Sequence, residues 1–197
     1  MSKRKKDKKT LFNILVVTTI ILSISLVGWA SFRIANAISF EINCGAHIKR
    51  AASANTIDLA RAELEKVINY AQQNNLTEGI VSIFIQNPAN DVGFWYTNLT
   101  AAYDELYNVP EDASQLEKTN ILIKLRESLT DRGETGGTQI TVPSGISIFP
   151  HNVAYFWWGF FSIGGLLVGG TLFLLYFIEQ EAKEEAKING MRNKKRT

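Results

Sequence analysis

The sequence has little of what an enzyme active site or a disulfide-stabilised domain is built from. Its 197 residues include one cysteine, Cys44, two histidines and four prolines. A single cysteine excludes an intramolecular disulfide, so a folded domain must be held together by its apolar core. No Ser-His or Cys-His arrangement with an orienting group and no glycine-rich phosphate loop is indicated. The sequence therefore predicts a non-enzymatic protein with no catalytic residues and no cofactor.

Metal ligands are equally scarce. Cys44 and His47 have a C-x-x-H spacing, and His151 lies far along the chain. Three such groups can hold zinc if the fold brings them together, whereas isolated histidines are the ordinary alternative. We interpret them as isolated, and the sequence predicts no metal site.

Long uncharged runs are the strongest positive signal. Residues 11–32 and 153–178 contain no charged side chain over 22 and 26 residues. About 20 apolar residues in a helix span the hydrocarbon core of a bilayer. The hydroxyl groups in the first run, such as Thr18, Thr19 and Ser25, can hydrogen-bond to the helix backbone or to a neighbouring helix. Aromatic residues lie near both ends of the second run, as is typical of membrane interfaces. Both runs are therefore predicted to be transmembrane helices.

A cleaved signal peptide is the alternative for the first run. A basic segment precedes it, and Ala35-Asn36-Ala37 has the small-x-small form of a cleavage site. However, the apolar run is longer than a usual signal core of about 7–15 residues, and Arg33 lies in the cleavage segment. A membrane span is the favoured interpretation.

Charge is segregated along the chain. Residues 1–10 carry a net charge of +5 and residues 179–197 carry +2, whereas residues 34–152 carry −6. Lys and Arg flanking membrane spans favour the cytoplasmic side, so both termini are predicted to be cytoplasmic. The acidic segment argues against a nucleic-acid partner. The predicted order is a basic tail (1–10), a first span (11–32), an outer domain (33–152), a second span (153–178) and a charged tail (179–197).

The outer domain is predicted to be mainly α-helical, as a three- or four-helix bundle. Apolar residues from Ile57 to Ala71 recur at three- and four-residue spacings, and this helix is predicted to end at Asn74-Asn75. Because little interrupts the sequence after the first span, the span and this helix could form one rod. A second helix should begin at Asp91, and a third at Ser114, where Ser114-Gln115-Leu116-Glu117 is a capping box.

Two segments are harder to interpret. The run from Ile80 to Ile85 fits either a buried strand or a short buried helix, and helix is the favoured interpretation. Residues 133–137 are glycine-rich and are predicted to form a flexible loop. Residues 138–150 are predicted to form an extended connector or a small β-hairpin before the second span.

Two sets of residues are candidates for binding. Gly165 and Gly169 form a G-x-x-x-G pattern in the second span, where another helix can approach closely. The partner could be the first span, a second copy or another protein. In the outer domain, aromatic residues concentrate on the second predicted helix and either fill the core or form a recognition surface. They are Phe94, Trp95, Tyr96, Tyr103 and Tyr107.

The order span, outer helical domain, span and short tail resembles the input half of bacterial sensory receptors. The resemblance concerns architecture alone, and it implies the bacterial inner membrane as the location. Only 19 residues follow Ile178, too few for a kinase or a signalling bundle. The leading hypothesis is therefore a bilayer-anchored interaction or scaffold protein that binds another protein or itself. The alternative is a ligand-sensing module that acts through a separate cytoplasmic partner.

Overall fold

The computed structural model describes residues 2–132 and 138–194, and it is mainly helical (78%) with a small antiparallel hairpin. It divides into two compact units, of which Phe32–Tyr155 is one and will be called the intervening domain. The other unit consists of the remaining parts of the first and last helices and will be called the helix pair. The elements in chain order are α1 (Ser2–Phe40), a π-helix (Glu41–Gly45), α2 (Ala46–Ala52), α3 (Ile57–Gln73), a 3-10 helix (Pro88–Asn90), α4 (Val92–Tyr107), α5 (Gln115–Leu129), β1 (Thr130–Arg132), β2 (Thr138–Ile140), a 3-10 helix (Ile146–Ile148) and α6 (Asn152–Lys194).

Two helical stretches, Thr10–Ala52 and Asn152–Met191, are long and apolar enough to cross a membrane. Within the first, Thr18, Thr19 and Ser23 each donate a side-chain hydrogen bond to the carbonyl oxygen four residues earlier. These bonds satisfy the hydroxyl groups inside an otherwise apolar helix, as the sequence predicted. The helices of the pair also contact each other through aromatic rings, since Phe12 stacks on Tyr176 with ring centroids 4.5 Å apart.

The intervening domain has one apolar core. Helix α3 packs against α2 and α4, and α5 contacts α2, α3 and α4. The largest side chains with almost no exposure in this core come from three helices, α2, α3 and α4: Ile48, Leu64, Val67, Val92, Leu99 and Leu106. These residues recur at helical spacing, which explains why each helix buries one face.

The predicted helix starts are confirmed. The Asp91 carboxylate accepts a hydrogen bond from Phe94 N at 3.0 Å and caps α4, and the Ser114 hydroxyl oxygen accepts one from Glu117 N at 3.2 Å and caps α5. Such side chains satisfy backbone donors that the first helical turn leaves unpaired. Helix α3 ends at Gln73, immediately before Asn74 and Asn75, as predicted. Asn75 has a positive φ of 55°, a conformation that asparagine tolerates better than most residues.

The predicted single rod is wrong, because the helix stops at Ala52. Ser53 folds back on the last turn, with its hydroxyl donating to the Lys49 carbonyl oxygen at 2.9 Å. Thr56 then adopts an extended conformation and caps α3 by accepting from Leu59 N at 3.3 Å. The break lets α3 pack against α2, which a straight continuation would not allow.

The segment from Ile80 to Ile85 is neither a helix nor a regular strand, so the favoured helix interpretation was wrong. Val81 N donates to the Asn90 carbonyl oxygen at 3.0 Å, and Val92 N donates to the Gly79 carbonyl oxygen at 2.9 Å. These two bonds tie the start of the segment to the start of α4. Gly79, immediately before the segment, has a φ of +103°, which is not a helical conformation. A segment of six residues also gains too few hydrogen bonds to offset the cost of helix nucleation, so it continues as an irregular loop.

The hairpin lies earlier than the sequence suggested. Strand β1 pairs with β2 in antiparallel register, with Thr130 opposite Ile140. The predicted flexible loop at 133–137 lies outside the described residues. The turn at Pro143-Ser144-Gly145 leads instead to the 3-10 helix, and Gly145 has a positive φ of 90°. A substitution there would strain the backbone and bring the new side chain close to Val81.

Candidate functional site

A buried carboxylate, Glu63, links α2 to α3. Its Oε2 accepts a hydrogen bond from His47 Nδ1 at 2.5 Å, and its Oε1 lies 3.0 Å from both Arg50 Nη2 and Lys66 Nζ. Burial raises the pKa of this carboxyl, but the His47 bond and the charges of Lys66 and Arg50 outweigh it, so the net pKa is lowered. The arrangement is a satisfied structural ion cluster rather than a poised acid.

Acid is therefore expected to destabilise the domain through Glu63. The pKa of this carboxyl is lower in the folded state than its ordinary value of 4.5, which applies to the unfolded chain. Glu63 therefore stabilises the folded state fully at pH values above 4.5. This stabilisation is lost as the pH falls through the pKa of the folded state. The measurement is thermal unfolding of the full chain in mild detergent between pH 7 and 3. Glu63→Gln should lower the midpoint temperature at pH 7. As the pH falls, that midpoint should decrease less than the midpoint of the unaltered chain. Glu65→Gln, an exposed position on the same helix, is the control. An unchanged pH profile in Glu63→Gln would show that other groups dominate.

Cys44 and His47 do not form a metal site with one another. Cys44 is fully buried in the core, where burial and the nearby Glu41 carboxylate raise the pKa of its thiol to about 12. His47 is bonded to Glu63, and His151 is exposed. Across residues 2–132 and 138–194, there is no group of three or more His, Cys, Asp or Glu side chains that could hold a metal ion.

The five candidate aromatic residues of α4 do not share one surface. Trp95 is buried in the core, and Tyr96 and Tyr103 are partly buried against it. Phe94 and Tyr107 are 59% and 64% exposed. The Tyr96 hydroxyl accepts a hydrogen bond from Gln72 Nε2 at 2.8 Å, which ties α4 to α3. The sequence left core packing and surface exposure as alternatives for these five residues. In the structure, some of them pack in the core and others are exposed.

Beside Phe94 lies a cavity of about 550 Å³ between α4, the end of α5 and the hairpin. This volume is in the range of small-molecule sites. Apolar side chains, including Trp95, Leu99, Leu129 and Val142, form part of its wall. Polar residues of α4, α5, β1 and β2 and of the segments next to α4 and β2 also line it: Asp91, Asn98, Ser128, Asp131, Gln139 and Thr141.

One buried donor at the cavity lacks a partner. The Trp95 side chain lines the cavity and is only 6% exposed, yet its indole N–H has no hydrogen-bond acceptor within the described part of the chain. Buried donors are usually paired, so this N–H is an exception among the buried groups that the structure describes.

In the helix pair, Gly165 and Gly169 lie against α1. A Cβ atom added to Gly165 would lie 2.9 Å from Leu22 Cδ1, and one added to Gly169 would lie 3.2 Å from Thr19 Oγ1. Their neighbours Gly164 and Gly170 would meet nothing within 4 Å. The sequence left three possible partners for the G-x-x-x-G pattern. In the structure, the pattern contacts the chain's own first apolar helix, α1.

A polar bridge joins the two helices of the pair. Ser25 Oγ lies 2.9 Å from Ser162 Oγ and accepts a hydrogen bond from Trp158 Nε1 at 2.9 Å. Bonding to a neighbouring helix is one of the two roles that the sequence left open for this hydroxyl. Glu63 was missed because it is charged, although it lies three residues after Ala60 and four before Val67 on the apolar face. Its position among apolar residues at helical spacing could have indicated that this charged side chain is buried.

The chain matches no protein-family model, and neither the curated proteins nor the solved structures include a significant match to it. The function of the chain is therefore inferred from its own residues.

Proposed function

We propose that this chain is a two-pass membrane protein. The two long apolar helices would be its spans, the Lys- and Arg-rich ends would lie in the cytoplasm, and the acidic intervening domain would form a helical bundle on the other side of a bacterial inner membrane. The length of the helices and the net charges of +5 and +2 on the tails against −6 over residues 34–152 support this topology.

We infer that its role is to bind a protein partner through an apolar loop. The loop consists of residues 83–85 and follows the bonded start of the segment at Val81. Phe84 is 73% exposed and Ile85 is 69% exposed, whereas Val81 is buried. Adjacent large apolar side chains at a loop tip favour a binding surface, because their exposure to water is unfavourable. This exposed pair is the observation that carries the proposal.

Photo-crosslinking in native membranes tests it. Benzoylphenylalanine placed at Phe84 should yield one dominant protein adduct, at least about fivefold above the same probe at Gln86, which is exposed two residues away. A band at twice the chain's mass would identify a second copy as the partner. Adducts to lipid alone, or equal adducts from both positions, would contradict a protein-binding loop.

Ligand sensing is the second candidate function, and the cavity favours it. A sensor domain needs a pocket of a few hundred cubic ångströms with polar groups from several elements, and the cavity of about 550 Å³ meets that requirement. Its wall joins α4 to the end of α5 and the hairpin, so a ligand there would contact three elements at once. The short charged tails would then act on a separate cytoplasmic partner.

A further inference from the structure

We propose that the cavity beside α4 binds a neutral saccharide. Such a ligand would be the one sensed in the second candidate function, on which the proposal therefore rests, and the apolar loop at residues 83–85 is not involved. Three features of the cavity wall support it: the facing positions of its polar residues, their hydrogen-bonding chemistry and one exposed aromatic ring.

The cavity lies between one face of α4 and one face of the hairpin. On α4, Phe94 and Asn98 are four residues apart and therefore lie on the same face of the helix. Thr141 N donates to the Leu129 carbonyl oxygen at 2.9 Å, which extends the strand pairing past the end of β2. Gln139 and Thr141 are two residues apart along this strand, so their side chains lie on the same side of it. A ligand in the cavity would thus meet polar groups from both faces.

These polar groups can both donate and accept hydrogen bonds. Asn98 and Gln139 carry side-chain amides and Thr141 carries a hydroxyl, and each group has donor and acceptor atoms. In the part of the chain that the structure describes, none of the three makes a side-chain hydrogen bond, so all are available to a ligand. A saccharide hydroxyl is likewise a donor and an acceptor, and it can pair with either end of an amide.

The charged residues of the wall do not favour an ionic ligand. Among its described lining residues there are two carboxylates, Asp91 and Asp131, and no Lys, Arg or His. An anion would therefore find no basic side chain to pair with. A cation would find both carboxylates engaged, because Asp91 caps α4 through Oδ1 and Asp131 has an interaction of its own. A neutral ligand needs neither kind of partner.

Phe94 supplies the surface that distinguishes a saccharide from other neutral ligands. Its side chain lines the cavity and is 59% exposed, so its ring is accessible. A pyranose ring has a face of C–H groups, with hydroxyl groups around its edge. That face can pack flat on an aromatic ring, which removes apolar surface of both from water. The hydroxyl groups then remain available for hydrogen bonds to the amides and the hydroxyl of the wall.

A panel of neutral disaccharides tests the proposal, since ligands of that size suit a cavity of about 550 Å³. Cellobiose, maltose and N,N′-diacetylchitobiose would be titrated into the full chain in a polyoxyethylene detergent, because glycoside detergents would compete. Binding would be followed by ligand-observed saturation-transfer NMR, with empty micelles as the blank. We expect at least one disaccharide to bind with a Kd of roughly 1 mM or tighter. Sorbitol, which has hydroxyl groups but no ring, should bind at least about tenfold more weakly.

Paired variants identify the groups responsible. Phe94→Ala should weaken binding of the best disaccharide about tenfold, because the stacking surface is lost. Tyr107→Ala removes an exposed ring from the same helix outside the cavity wall and should leave binding unchanged. Gln139→Leu should weaken binding severalfold, whereas Gln115→Leu, at an exposed position of α5 outside the wall, should not. Circular dichroism of each variant would show that the helices are retained.

Three outcomes would overturn the proposal. They are no measurable binding by any member of the panel at about 10 mM, equal binding of sorbitol, and equal losses in each variant and its control. Equal binding of N-acetyl-trialanine amide would assign the cavity to a peptide and contradict the saccharide class. A saccharide that binds without affecting a cytoplasmic partner would support the site and contradict ligand sensing. The photo-crosslinking result at Phe84 is independent of all of these measurements.

Discussion

Isoleucine at both Gly165 and Gly169 is expected to separate the two long apolar helices, whereas isoleucine at Gly164 and Gly170 should leave them paired. The first two glycines lie against α1, where a Cβ atom would come within 2.9 Å of Leu22 Cδ1 or 3.2 Å of Thr19 Oγ1 and the larger isoleucine would force these neighbours to shift, and the other two meet nothing within 4 Å. Overpacking of this kind costs about 1–3 kcal/mol, which corresponds to a roughly five- to 150-fold loss of helix pairing.

Disulfide formation between the helices measures this effect. Ser25 and Ser162 have hydroxyl oxygens 2.9 Å apart, so cysteines at these two positions can form a disulfide with little movement. In a Cys44→Ala background, oxidation should join the two helices quickly in the otherwise unaltered chain and in Gly164→Ile/Gly170→Ile. It should be slow in Gly165→Ile/Gly169→Ile. Equal rates in the two double variants would show that the glycine contact does not hold the helices together.

Cysteine labelling is expected to give an all-or-none answer on topology. Glu111 is exposed in the intervening domain, so a cysteine there should react fully with a membrane-impermeant maleimide added from outside the cytoplasm. Reporters fused before Met1 and after Thr197 should both be active only in the cytoplasm. The physical reason is the cost of moving the Lys- and Arg-rich tails across the bilayer.

The unaltered chain provides the control for labelling, because Cys44 is fully buried and should stay unlabelled until the domain unfolds. A mature chain with one span and an external N-terminus would instead identify the first apolar run as a cleaved signal. Labelling of the Glu111 cysteine only after permeabilisation would reverse the proposed orientation.

Local signals predicted the helix starts at Asp91 and Ser114 and the helix end before Asn74. Each depends on a side chain and a backbone group within about four residues, so the sequence alone contains what is needed. The break after Ala52 was missed although Thr56 is a capping residue, because it follows a long stretch of helix-compatible residues. The segment from Ile80 to Ile85 was misjudged because Val81 and the preceding Gly79 bond to Asn90 in the 3-10 helix and to Val92 at the start of α4, which are distant in sequence.

The candidate sites were also predictable from the sequence only in part. The G-x-x-x-G pattern located a contact face correctly, but only the structure distinguishes Gly165, which lies against Leu22, from Gly164, which has no neighbour within 4 Å. The aromatic residues of α4 were recognised as a set, and packing then divided them into buried and exposed members. The Glu63 cluster needs Lys66 and Arg50 on two helices, and sequence reasoning did not find it.

By itself, the sequence determined that the chain is mainly helical, where its two long apolar helices lie and where α4 and α5 begin. These properties follow from composition and from interactions between residues a turn apart. The tertiary structure decided the ion cluster at Glu63, the irregular apolar loop at residues 83–85 and the cavity beside Trp95. The cavity is formed by residues 88–99 together with residues 128–131 and 139–143, and its shape depends on how distant segments pack. Local periodicity does not encode that arrangement, because the same apolar face can pack against different partners.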